Sequence, residues 1–230
     1  MNTANFTEIC NKIYGTGEGK KQHSDIFPKN VFAIIAGSTG SGKTNLLMNF
    51  LFGGHLSYDK VMIYTTTEYQ QVYKFLKDCD TSKKIVSFHN PADGGILDPS
   101  NLDKTKTHII VFDDVMNEKD QKVMTDYFCR GRHNNVSVFY LCQSLHQLKK
   151  HGIRQNANTF ILFHQDKKTL KYFYETHISG DLDFEEFENI CHKAWSEKHG
   201  FIVINLWEEP MFRYILNYQY IYIPQKFKIF

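Results

Sequence analysis

At 230 residues and 42% apolar side chains, the chain is long enough for one sizeable α/β domain with small additions. Lys and Arg number 27 against 25 Asp and Glu, a net charge of +2. That lacks the basic balance of a dedicated nucleic-acid-binding domain and leaves only a local patch for such a role. The five cysteines, Cys10, Cys79, Cys129, Cys142 and Cys191, are scattered without a CxxC pair or Cys/His metal spacing, which predicts reduced thiols. No leader pattern and no membrane-length apolar run occurs, so the expectation is a protein neither secreted nor embedded in a membrane.

Residues 1–30 form a polar, glycine-containing lead that ends at Phe27-Pro28. Residues 31–36 (VFAIIA) are a continuous apolar run suited to a buried strand. Gly37, Ser38, Thr39, Gly40, Ser41, Gly42, Lys43 and Thr44 follow and fit GxxxxGK[ST] without a mismatch. In such a loop the glycines let backbone N–H groups turn toward phosphate oxygens, the lysine reaches the β- and γ-phosphates, and the hydroxyl holds Mg²⁺. A chance Gly/Ser turn is the plain alternative. The strand before and the helical pattern of residues 45–52 after it favour the phosphate loop, with the helix N-terminus facing the anion.

Beyond Gly53-Gly54, residues 60–64 predict a second strand, and residues 68–79 a helix with Val72, Phe75 and Leu76 on one side. Residues 84–88 predict a third strand, and residues 90–106, with Pro91, Gly94, Gly95 and Pro99, a loop. An apolar strand over residues 108–112 then runs into Asp113 and Asp114. A helix over residues 117–129 follows, with Val123, Met124, Tyr127 and Phe128 as its buried stripe. Strands are expected over residues 135–142 and 159–163, and helices over residues 167–175 and 184–195. Residues 200–205 and 212–216 suit a hairpin. The aromatic tail from Tyr218 onward fits an edge strand, packed back on the domain or offered to a partner.

Alternating strands and helices predict an α/β fold: a mainly parallel sheet with helices on both faces. Two strand candidates lie between Lys43 and Asp113. This favours the P-loop NTPase division with an extra strand between the Walker A and Walker B strands, used by helicases and motors. The core is expected over residues 31–176, with residues 177–230 a helix-and-strand extension of the same domain.

Asp113, at the end of an apolar strand, is positioned to hold Mg²⁺ opposite Thr44, and Asp114 to polarise an attacking water. A strand-end carboxylate that merely caps the next helix is the competing reading. Gln143, directly after the next strand, suits a γ-phosphate sensor or is an ordinary loop residue. Arg130 and Arg132 flank a glycine at a helix end. They suit an arginine offered to a neighbouring subunit's γ-phosphate, or cations favoured by the helix dipole; Arg154 is a third candidate. Lys149, Lys150 and His151, with Lys167, Lys168 and Lys171, either contact DNA phosphates or are a solvated surface.

Together the loop at residues 37–44, the run IIVFDD ending at Asp114, Arg130 to Asn135 leading into Gln143-Ser144, and Ile153 to Asn156 with the apolar strand to Phe163 resemble a known family. The chain resembles the viral genome-packaging ATPases of the FtsK/HerA superfamily, of the poxvirus type, over about residues 30–165. The resemblance implies an ATP- and Mg²⁺-dependent motor feeding double-stranded DNA into a preformed capsid. It further implies a homo-oligomeric ring, a hexamer or pentamer, located in the virion or in the host cytoplasm or nucleus during assembly. Arg130 or Arg132 would act in trans, with Gln143 as the sensor and Asp114 in place of the more widespread Glu. Two other readings stay open: a viral nucleoside or nucleotide kinase, disfavoured because only four arginines exist to build a lid, and an assembly factor ordered by nucleotide without turnover. No NKxD guanine-recognition motif is present.

Overall fold

The computed structural model describes residues 23–80, 85–115, 121–148 and 152–221. Nine strands form one sheet: β1 (Phe32–Ala36), β2 (Lys60–Thr65), β3 (Val86–His89), β4 (His108–Asp113), β5 (Val136–Cys142), β6 (Thr159–Leu162), β7 (Ile202–Asn205), β8 (Tyr214–Leu216) and β9 (Gln219–Ile221). Their order is β3-β2-β4-β5-β1-β6-β7-β8-β9. The pairings from β3 to β6 are parallel, and β6 to β9 are joined antiparallel. The fold is therefore that of a P-loop NTPase. The expected insertion is present, since β5 lies between the strand carrying the glycine loop and the strand ending at Asp113.

Strands covered on both faces need unbroken apolar sequence, and β1, β4 and β5 have it: every residue in them is buried. Alternation along β1 divides the core. Phe32, Ile34 and Ala36 face one cluster, and Ala33 and Ile35 face the other. Helices α1 (Lys43–Phe52) and α2 (Gln71–Cys79) cover the second face, through Leu47, Phe50, Tyr73 and Leu76. After the one-turn α3 (Pro91–Gly94), helices α4 (Gln121–Arg130), α5 (Lys167–His177) and α6 (Phe184–Ala194) cover the first, through Met124, Phe128, Phe173 and Phe187.

Local chemistry sets the helix boundaries. Asp166 accepts the Thr169 N–H at the start of α5, and Asp183 and Glu186 form a capping box at the start of α6. The helix expected from residue 68 begins at Gln71, because Thr65 and Thr67 hold the preceding turn through side-chain hydrogen bonds. Its stripe also differs from the expected one. Tyr73 and Leu76 are buried, whereas Phe75 is 59% exposed and sits edge-to-face with Phe52. In α4 the buried stripe is Met124, Tyr127 and Phe128, with Val123 half-buried. The loop at residues 90–106 contains α3 and a 3-10 turn over Pro99–Asn101, opened by the Asn90 and Asp98 side chains. Residues 202–216 form the hairpin, and the tail continues it as β9. Lys149, Lys150, His151, Cys10 and the tail beyond residue 221 lie outside the described residues.

Residues 23–30 pack on the α1 face. Phe27 sits edge-on to Phe50 and Phe139, with centroids 4.9 and 5.9 Å away. His23 Nδ1 accepts the Ser57 N–H at 3.0 Å, so in the neutral ring Nε2 carries the proton toward Ser137 Oγ, also at 3.0 Å. Burial pushes this histidine down to about 4. Below its unfolded value the unfolded chain binds the extra proton first, so stability is full above about pH 6.5 and falls as the pH drops toward 4. The loss at His23 is on the order of 3 kcal/mol. Denaturant midpoints measured across this window are expected to decline in the parent and to decline less steeply in His23→Gln, the remaining slope coming from His177, which burial also pushes down to about 4.

Candidate nucleotide-binding site

The glycine loop leaves the C-terminal end of β1 and enters α1, whose first residue is Lys43. Gly42 has φ +110°, a left-handed conformation that disfavours a side chain. At Gly37 the constraint is space, since a Cβ there would lie 2.7 Å from both Phe163 Cβ and Ser41 Oγ. Lys43 Nζ donates to the carbonyls of Gly37 at 2.7 Å and Ser38 at 3.0 Å, which holds the ammonium across the loop with one donor to spare. Burial pushes this lysine down, opposed by Asp113, Cys142 and Asp114.

Lys43, Thr44, Asp113, Asp114 and Gln143 line one pocket together with Thr39, Gly40, Thr67, Gln70, Leu141 and Cys142. Sequence-distant residues meet here because β1, β5 and β4 end side by side. Ser38 is exposed on the loop, and Ser41 Oγ is buried without a hydrogen-bond partner. Asp113 is 6% exposed, and its Oδ2 accepts a 2.5 Å hydrogen bond from the Tyr73 hydroxyl. Burial pushes the Asp113 carboxyl up and Asp114 adds to this; the Tyr73 bond and Lys43 pull it back. Asp114 is exposed and sits at φ +54°. Short Asp and Asn tolerate that left-handed conformation better than longer side chains, a physical reason for Asp here rather than Glu.

Two hard oxygen donors, the Thr44 hydroxyl and the Asp113 carboxylate, face one pocket, which fits Mg²⁺ with its remaining positions filled by water and phosphate. Such an ion would neutralise charge on a bridging phosphate. The Lys43 ammonium, at the same pocket and with a donor to spare, fits the phosphate chain itself.

The arginines are elsewhere. A Cβ on Gly131 would lie 3.1 Å from the ring of Phe32, the first residue of β1, so Arg130 and Arg132 lie at the opposite end of that strand from the glycine loop. Five residues of strand separate the two ends, roughly 17 Å at about 3.3 Å per residue, further than an arginine side chain reaches. Arg130 pairs with Asp126 at 2.6 Å but stays mostly exposed, and Arg132 is exposed. Arg154 is 9% exposed, donates to the Tyr172 hydroxyl at 2.8 Å and lies over that ring, so it is a packing cation rather than one presented outward. Arg213 is bound to Asp181 and the Glu208 carbonyl. Lys167 pairs with Glu188, while Lys168 and Lys171 are exposed on α5.

Tyr73 was not evident as a site residue from the sequence. A tyrosine on the buried face of a helix needs a partner for its hydroxyl, which is a signal, but nothing local names that partner. Thr67 and Gln70 at the pocket and His199, whose Nδ1 donates to the Ser41 carbonyl at 3.0 Å, were likewise not evident.

No protein-family model matches the chain, and no curated protein matches its sequence. Solved structures do match its fold. The DNA-packaging ATPase B204 from Sulfolobus turreted icosahedral virus is 14% identical with a TM-score of 0.53, over 78% of this chain and 93% of that one. The genome-packaging NTPase B204 from Sulfolobus turreted icosahedral virus 2, in complex with AMPPCP, is 15% identical with a TM-score of 0.52, over 78% and 94%. The same NTPase in complex with ATP-gammaS gives 15% and 0.52, over 78% and 93%.

Tyr73→Phe removes the hydroxyl that Tyr73 shares with Asp113 and Thr44 and leaves the ring packing intact. It is expected to weaken Mg²⁺ affinity of the nucleotide-bound protein about tenfold, the scale for losing a partner that orients a metal ligand. Magnesium titration of a fluorescent nucleotide complex measures this, with metal-free nucleotide affinity unchanged.

Proposed function

We propose that this chain is an ATP-hydrolysing motor that drives double-stranded DNA into a preformed viral capsid, acting as a homo-oligomeric ring of five or six copies in the virion or infected cell. The observation that carries this reading is the position of β5 between β1 and β4, which sets Gln143 at the pocket shared by Lys43 and Asp113. The fold shared with the B204 packaging ATPases supports it. Among the described residues no helix is long and apolar enough to cross a membrane. Residues 31–176 are taken as the ATPase core and residues 177–230 as an extension of the same domain, supported by the continuity of β6 through β9; residues 1–30 lead into it.

In this mechanism the residues 37–44 loop binds the phosphates of ATP, Lys43 spans the β- and γ-phosphates, and Thr44 and Asp113 hold Mg²⁺. Asp114 orients and polarises the attacking water, and Gln143 responds to the γ-phosphate. Arg130 or Arg132 completes the site from a neighbouring copy, because neither reaches the pocket of its own chain. The same distribution of arginines argues against a kinase, since Arg154 and Arg213 are tied down within the fold.

Lys43→Ala is expected to abolish nucleotide binding, and Asp114→Asn to bind ATP while losing turnover and encapsidation. An Arg130→Ala/Arg132→Ala double variant should lose ~10³–10⁵ in hydrolysis rate yet bind ATP within a few fold of the parent. Mixing it with Lys43→Ala subunits should restore DNA-stimulated phosphate release, because each supplies what the other lacks. Mixed rings as inactive as either variant alone would sink the arginine-in-trans assignment.

A further inference from the structure

The pocket has a chemical direction. Asp113, Asp114 and Gln143 stand on the side of β1 toward β5 and β4. In a phosphate loop the lysine reaches the β- and γ-phosphates. A nucleotide laid with its γ-phosphate toward the carboxylates must therefore extend its nucleoside the other way, over β6 and the turn after α6.

That flank carries aromatic side chains. His199 Nδ1 donates to the Ser41 carbonyl at 3.0 Å, and a Cβ on Gly42 would lie 3.5 Å from both His199 Nδ1 and Phe163 Cε1. Its ring thus lies against the phosphate loop itself, and it is exposed. His199 adopts φ +62°, in the left-handed region that His, like Asn and Asp, enters more readily than most side chains. Next to Phe163, His164 is exposed and meets the Trp195 ring at a centroid distance of 5.2 Å. Trp195 is fixed in turn, donating from Nε1 to the Leu162 carbonyl at 2.9 Å. The turn is tightly closed: Gly200 abuts the Ala194 carbonyl so closely that a Cβ would lie 2.0 Å from that oxygen. Polar-edged rings left open to solvent beside a phosphate site suit a planar, apolar-faced ligand, because stacking buries the faces while the edges stay hydrated.

We propose that His199, with His164 and Trp195 beyond it, forms the shelf on which the purine base of the bound nucleotide stacks. The inference rests on the phosphate loop binding a nucleoside triphosphate, as proposed above. Stacking uses the π-face common to purines, so the shelf binds adenine and guanine nucleotides with little discrimination between them and adds nothing to the binding of a bare phosphate chain.

The test compares ATP, GTP and inorganic tripolyphosphate, each with Mg²⁺, by calorimetry on the full chain. The variants are parent and His164→Ala/His199→Asn, since Asn tolerates the left-handed backbone and keeps a donor for the Ser41 carbonyl. ATP and GTP affinity are expected to fall about tenfold in the double variant, the order for one lost base–aromatic stack, with tripolyphosphate unaffected. In a Trp207→Phe background, which removes the other tryptophan, ATP should quench Trp195 emission and tripolyphosphate should not. Unchanged ATP affinity in the double variant overturns the shelf, as does an equal loss of ATP and tripolyphosphate, which would mark the rings as structural supports of the loop. A parent that binds neither ATP nor tripolyphosphate overturns the phosphate-loop reading beneath it.

Discussion

Strand β1 is buried on both faces and hydrogen-bonded along both edges, to β5 and β6, and the geometry of the candidate site is measured from its end. A loop of small residues with glycines at positive φ is soft by itself. Here its first residue is wedged against Phe163 of the strand-end segment beside it, and its last leads into a helix with five buried side chains. The loop is thus pinned at both ends by packing, and the turn between them is the part that would fold around phosphate in the proposed motor. Preorganisation of this kind means that little reorganisation remains when charge arrives.

The electrostatics follow from the same burial. Asp113 is taken out of water, which disfavours its charge, and it is compensated by a hydroxyl from α2 and an ammonium from α1. The carboxylate is therefore held by the Tyr73 hydroxyl and attracted by the Lys43 ammonium, both from helices on one face of the sheet. Asp114, one residue later, is exposed in a left-handed turn. Adjacent carboxylates thus receive different environments from one strand end. One is suited to holding a cation and the other to meeting water.

The opposite end of the central strands has a different character. Arg130 and Arg132 project there, away from the pocket of their own chain, whereas Arg154 and Arg213 are absorbed into packing. The antiparallel strands β7 to β9 widen the sheet beyond β6 and carry the turn that lays His199 on the loop. In the proposed motor, the added strands flank the nucleoside side of the pocket and the exposed Arg130 and Arg132 meet a neighbouring copy.

The linear chain determined the fold class, the loop at residues 37–44, the paired aspartates and the polar residue after β5. Each is written in contiguous residues: an unbroken apolar run makes a covered strand, and a glycine pattern makes a turn. Strand count even anticipated the insertion of β5 between the motif strands. Tertiary structure alone decided that Tyr73 rather than Phe75 lies beneath the sheet-facing side of α2, that Arg154 is buried, and that His199 reaches back to Ser41 across the domain. Those outcomes depend on which element packs on which, and on the partner that a buried hydroxyl or cation finds across a long stretch of chain. Local periodicity does not carry that information.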